Sequence, residues 1–116
     1  MIYNGTTITQ NILNKAKSRV DFTTHLSKSK SRYIVSYKNI YLGKNPSNYD
    51  GLILRIDKFV KSEAYDSVGG WKDENTGNYY LDANLHFDKL ETALQVAKMK
   101  GELAIFDTKE NKVINL

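Results

Sequence analysis

Ile8, Ile12, Ala16 and Val20 recur at the spacing of one helix face, with Leu13 widening the stripe and Lys15, Lys17 and Arg19 falling off it. The spacing predicts a helix from about residue 9 to 20, with Thr9 or Thr7 as its cap. Ahead of it, Asn4-Gly5 between short β-prone flanks predicts a small hairpin or an ordered arm over residues 1–8. Ser27 to Ser31 is a Ser/Lys loop without an apolar residue. The period then changes to two. From Arg32 to Leu42, Tyr33, Val35, Tyr37 and Tyr41 take one parity and Ser36 and Lys38 the other, which is a strand pattern rich in β-formers. Gly43 to Gly51, with Asn45-Pro46-Ser47 inside it, carries turn chemistry. Leu52 to Val60 fits two periods. Leu52, Leu54 and Ile56 alternate, whereas Leu52, Ile53, Ile56, Phe59 and Val60 suit a helix; the preceding Gly51 and the β-branched content favour a strand.

The second half is patterned more plainly. Gly69-Gly70-Trp71 leads into the polar turn Lys72 to Asn78, after which Tyr79, Leu81, Ala83 and Leu85 alternate with Tyr80, Asp82, Asn84 and His86, predicting a hairpin. Gly69-Gly70 suits a bulge or a close approach under Trp71. Asp88 and Glu91 form a capping box ahead of the stripe Leu90, Ala93, Leu94 and Ala97. Lys98 and Lys100 suit the negative end of that helix and Gly101 the position after it. The apolar run Leu103-Ala104-Ile105-Phe106 reads as a strand covered on both faces, and a turn through Asn111 precedes a last strand at Val113 to Leu116. The expected fold class is α+β: a mostly antiparallel sheet of four to six strands, with a C-terminal-half helix packed on one face and an N-terminal helix. Residues 68–116 would form a hairpin–helix–strand module within one domain.

Composition fits that picture. The chain of 116 residues has 41% apolar and 26% charged residues, which is neither a membrane nor a disordered composition. With Cys at 0, disulfides, thiolate metal sites and thiol catalysis are excluded. No apolar run reaches the ~18 residues of a membrane span, and no secretory-signal pattern opens the chain. The expectation is a protein without cofactor or membrane partner, in a reducing, cytoplasmic compartment.

The net charge of +4 is unevenly placed. Residues 1–62 hold 11 Lys/Arg against 3 Asp/Glu, and residues 63–116 hold 6 against 10. Lys28, Lys30, Arg32, Lys38 and Lys44 follow one another without an acid among them, which suggests attraction to a polyanion or to a protein that carries one. Tyr is abundant, at 8 residues. Tyr33, Tyr37 and Tyr41 interleaved with Arg32, Lys38 and Lys44 suit stacking of bases beside held phosphates, a protein interface, or simply a core-facing stripe with hydroxyls at the rim. Trp71, Tyr79 and Tyr80 are further candidates for stacking. Hydrolytic and nucleotide-binding signatures such as GxSxG, Walker A, GxGxxG and HExxH are absent. Asp82 and His86, four apart on one strand, share a face and could form an acid/base or metal pair; helix-entry histidines more often bond backbone.

Gly69-Gly70-Trp71-Lys72-Asp73, Thr76-Gly77, Tyr79-Tyr80-Leu81-Asp82, Glu91-Thr92-Ala93-Leu94 and Glu102 to Asp107 together resemble a module of small bacteriophage and mobile-element proteins, also found inside large phage polyvalent proteins. The resemblance covers about residues 68–114. It brings no assigned catalytic residue, so none carries over. It implies a context in which small single-domain proteins inhibit host immunity, as anti-CRISPR proteins do. The leading expectation is therefore a non-enzymatic binder of a host nucleic-acid-dependent defence complex. Lys28, Lys30, Arg32, Tyr33, Tyr37, Lys38, Tyr41 and Lys44 would form its contact surface. The alternatives are direct binding of single-stranded nucleic acid, or an oligomeric sponge for small nucleotides. An edge strand and exposed Tyr would also allow a homodimer.

Overall fold

The computed structural model describes residues 6–27, 31–102 and 104–116. Its elements are α1 (Thr7–Lys17), β1 (Phe22–His25), β2 (Tyr33–Gly43), α2 (Tyr49–Lys61), β3 (Ser67–Lys72), β4 (Tyr79–Phe87), α3 (Leu90–Met99), β5 (Ala104–Asp107) and β6 (Lys112–Asn115). The strands form one sheet in the order β1-β3-β4-β2-β5-β6, with every neighbouring pair antiparallel. This is the expected α+β class. Because β4 and β5 are each antiparallel to β2, they run parallel to each other, and α3 is the crossover that spans β2. The two strands of the strand–helix–strand unit over residues 79–106 thus share one sheet.

The N-terminal helix starts and stops earlier than its apolar spacing suggests. Thr6, not Thr7 or Thr9, is the cap, and its hydroxyl accepts from Thr9 N at 3.1 Å. Arg19, at φ 54°, turns the chain out of the helix, so Val20 leaves the stripe and stands exposed, as does Ile8. Thr9 is buried instead and donates to Asp57 Oδ1 at 2.9 Å. The hairpin or arm expected over residues 1–8 falls mainly outside the described residues; Thr7 and Ile8 open α1.

Residues 52–60 are helical, which corrects the strand expectation. Asn48 caps α2 by accepting from Gly51 N at 3.2 Å, and Leu52, Ile53, Ile56 and Asp57 turn inward at helical spacing. Leu54, which the alternating reading would bury, is exposed. α1 and α2 run antiparallel: Thr9 meets Asp57 at one end, and Lys17 lies over the Tyr49 ring at the other. α3 also departs in detail. Its cap is Lys89 with no side-chain bond, so the helix begins one residue too late for the Asp88–Glu91 box to form. Gly101 does take the left-handed turn after it, at φ 71°.

Register shows how the helices are distributed. In β4 the side chains of Tyr79, Leu81, Ala83, Leu85 and Phe87 point to one face, together with their partners Gly43, Tyr41, Lys38, Val35 and Tyr33 on β2. One end of this face packs under α1 and α2, through Ile12, Leu13, Ala16, Leu52, Ile53 and Ile56. The other end packs under α3, where Ala93 and Ala97 meet Tyr33, Val35 and Ile105. All three helices therefore cover the same face. Among the described residues, no helix packs on the opposite face. Within β5, Ile105 is buried against α3, while Phe106 is half-buried on the helix-free side.

Candidate functional site: the helix-free sheet face

β2 holds four of the eight residues predicted as a contact surface, and the structure turns its three tyrosines inward. Two register shifts, between Ser36 and Lys38 and between Asn39 and Tyr41, insert Tyr37 and Ile40 as extra residues. Tyr33 is buried under α3 and Tyr41 half-buried against the α1–α2 core. Tyr37 lies between the two cores, its ring 6.3 Å from that of Tyr65 and 4.4 Å beneath Lys100 Nζ. The stripe is core-facing, the plainest of the readings its parity allowed. Lys38 was expected opposite the tyrosines; the first bulge brings it into register with Ala83 on their side, where it is exposed at the surface.

Arg32 is committed to an internal pair. Its Nε and Nη2 donate to the two carboxylate oxygens of Asp107, both at 2.7 Å, and its guanidinium lies 5.0 Å over the Tyr33 ring. These bonds hold the Asp107 carboxyl down at about 2. Lys44 is exposed beyond the end of β2. Lys28 and Lys30 lie outside the described residues.

The three stacking candidates divide between the faces. Tyr79 is fully buried among the helices and donates its hydroxyl to Val20 O at 2.8 Å; burial pushes that hydroxyl above its ordinary range. It is closed to a ligand. Gly70 makes room for it, since a Cβ there would overlap the Tyr79 hydroxyl and the Phe22 ring. Trp71 and Tyr80 are paired across β3 and β4 on the helix-free face, stacked 4.6 Å apart at 7°. Trp71 is 46% exposed and Leu42, opposite Tyr80, 52%.

Beside this apolar row the face is polar. Asp82 accepts from Asn39 Nδ2 at 3.1 Å and from Ser36; burial still raises its carboxyl. Glu102 is raised as well, by burial and by the charge of Asp82. The next row runs His25, Ser67, Asn84 and Ser36 across four strands. Asn84 Nδ2 donates to Ser67 Oγ at 3.1 Å, and the same oxygen shares a 2.7 Å hydrogen bond with His86 Nε2. The other ring nitrogen of His86, Nδ1, is buried without a hydrogen-bond partner. Asp82 and His86 do share a face, as their spacing implied. Among the described residues no group of three or more His, Cys, Asp or Glu side chains is placed to hold a metal ion. Ser67 has no exposed surface.

A second candidate is a shallow cleft of about 220 Å³ at the start of α2, lined by Tyr41, Ser47, Asn48, Gly51, Leu52 and Arg55. β1 and the role of Arg32 escaped the sequence reading, the first for want of length and the second because its partner lies 75 residues away. The polar row, by contrast, was visible in the alternation of β4. Among the described residues no helix is long and apolar enough to cross a membrane. No family model, curated protein or solved structure matches the chain.

Proposed function

We propose that the chain is a non-enzymatic binder encoded by a phage or mobile element, which inhibits a nucleic-acid-dependent defence complex in the cytoplasm of its bacterial host. The observation that carries the reading is the Trp71–Tyr80 stack with Leu42, exposed on a sheet face that no helix covers. Rigid rings at the centre of a half-polar patch are the usual anchors of protein interfaces. The burial of Ser67 supports a binding role over a hydrolytic one, because its hydroxyl is spent on Asn84 and His86. The resemblance of residues 68–114 to the phage module supplies the context. Arg32 and Tyr33 leave the contact set, being engaged with Asp107 and α3. Lys38 leaves it too, being exposed on the helix-covered side, while Lys44 stays as an exposed cation and Trp71 and Tyr80 join it as aromatic anchors.

The test is affinity capture from the bacterial host with and without nuclease, followed by assay of the captured effector. The expected result is one defence effector, retained after nuclease, inhibited by the wild type and released by Trp71→Ala. Recovery of heterogeneous nucleic acid alone, lost with nuclease, overturns the proposal. That outcome would favour direct binding of single-stranded nucleic acid. Arg55 in the lining of the α2 cleft, with Lys44 close by in sequence, supports this second reading. It predicts affinity that falls steeply with salt and a shallower salt slope in Lys44→Ala/Arg55→Ala.

A further inference from the structure

β1 is the most thinly held strand of the β1–β3–β4 side of the sheet. It has four residues, alternately half-buried and exposed, and pairs only with β3. Its exit is stitched to the α2–β3 connection at one residue: Leu26 N and Ser27 N donate to Asp66 O at 2.8 and 3.3 Å, and Ser27 Oγ to Asp66 Oδ1 at 2.9 Å. The other carboxylate oxygen of Asp66 accepts from His86 N at 2.8 Å. The His25 ring of β1 meets the His86 ring edge-on, with centroids 5.4 Å apart at 86°. His86 itself is 7% exposed. The last residue of an exposed edge strand and the loop that follows it thus close over a buried imidazole.

That imidazole is built to be neutral. Nε2 shares its one hydrogen bond with Ser67 Oγ at 2.7 Å, a contact that a neutral ring satisfies. Nδ1 has no acceptor to share a positive charge. The titratable groups acting on His86 are Asp66, which favours the charged form, and His25, which opposes it; burial outweighs both and lowers the His86 pKa. Water reaches the ring most readily if β1 lifts.

We propose that β1 is a pH-released edge strand: the His25–His86 contact holds it closed at neutral pH, and protonation of His86 frees it from β3. The sign follows from linkage. A group whose folded pKa lies below that of its solvated form binds its proton preferentially in the open state. Opening is therefore favoured as pH falls below about 6.5, by up to tenfold for each pH unit of separation. Release would bare the edge of β3, the strand that carries Trp71, so the device acts beside the aromatic pair without depending on any particular partner.

The experiment is amide hydrogen exchange of the whole chain at pH 7.5 and 5.0, corrected for intrinsic rates. The opposite edge strand β6, which has no histidine, is the internal control. The expected result is that the Thr23–His25 amides open at least fivefold more at pH 5.0 while β6 stays unchanged. His86→Gln should abolish the difference and His25→Gln reduce it. Equal change at both edges, or a pH response that survives in folded His86→Gln, overturns the proposal. Should His86→Gln not fold, the wild-type imidazole titration decides by NMR. A His86 midpoint below 6.5 that coincides with loss of β1 signals supports release; titration with β1 intact overturns it.

Discussion

The two faces of the sheet are built from the same strands and differ in almost everything else. Odd-numbered positions of β4 lie beneath helices and are apolar: Tyr79, Leu81 and Ala83 have no exposed surface. The even-numbered positions between them are Tyr80, Asp82, Asn84 and His86, three of them buried and polar on a face that lacks a helix. The covered face is held by packing. The open one is held by a hydrogen-bonded row in which Ser67 links Asn84 to His86, and such a row fixes positions more than it adds stability. A surface whose side chains are already oriented loses little freedom on binding, which is why the open face is the better candidate for recognition.

The sharpest way to break this contrast is to truncate neighbours on β4. Leu81→Ala removes a fully buried side chain and is expected to cost about 2–5 kcal/mol in urea unfolding, whereas Tyr80→Ala should cost about 1 kcal/mol, chiefly the lost stack on Trp71. Equal losses would mean the open face is itself core. A similar pair tests the helix layer: Leu52→Ala should destabilise by about 2–4 kcal/mol and Leu54→Ala by no more than about 0.5 kcal/mol. Asp107→Asn comes next, and its signature is a pH dependence. The carboxyl is held at about 2 by Arg32, below its ordinary 3.8, so its contribution is complete above pH 4 and disappears as pH falls towards 2. The variant should therefore be less stable than wild type at pH 7 and converge with it in acid. Trp71→Ala should cost only about 1 kcal/mol of stability, yet have the largest effect on capture of a partner: more than about 30-fold, as expected of an interface anchor.

What the sequence made legible follows the reach of each signal. The alternation of β4, the middle of the α1 stripe at Ile12, Leu13 and Ala16, and the Gly101 stop of α3 are local patterns, and the structure keeps them. α2 was misread because Leu52, Leu54 and Ile56 satisfy a two-residue period as well as Leu52, Ile53 and Ile56 satisfy a helical one; the deciding contacts, Thr9 with Asp57 and the α1 face, come from outside the window. The bulges at Tyr37 and Ile40 leave no mark in composition, and they carried Lys38 to the tyrosine side. Arg32 was taken for a free cation because Asp107 is distant in sequence. The open face was half legible: its residues were read in order, but nothing in a single strand says which face the helices will leave bare.

The position of β2 in the sheet has a consequence for the chain while it is being made. β2 ends at residue 43, yet its two neighbours, β4 and β5, begin at residues 79 and 104. On the ribosome it emerges long before either partner exists, and its ladder must wait for contacts that are distant along the chain, which makes for slow assembly. During that interval a stretch with Tyr33, Ile34, Val35, Tyr37, Ile40 and Tyr41 is open to the wrong strand. Ser36, Lys38 and Asn39 interrupt it at its middle, and so do the extra residues that later become bulges. Polar breaks and irregular register discourage a second nascent chain from pairing along its length.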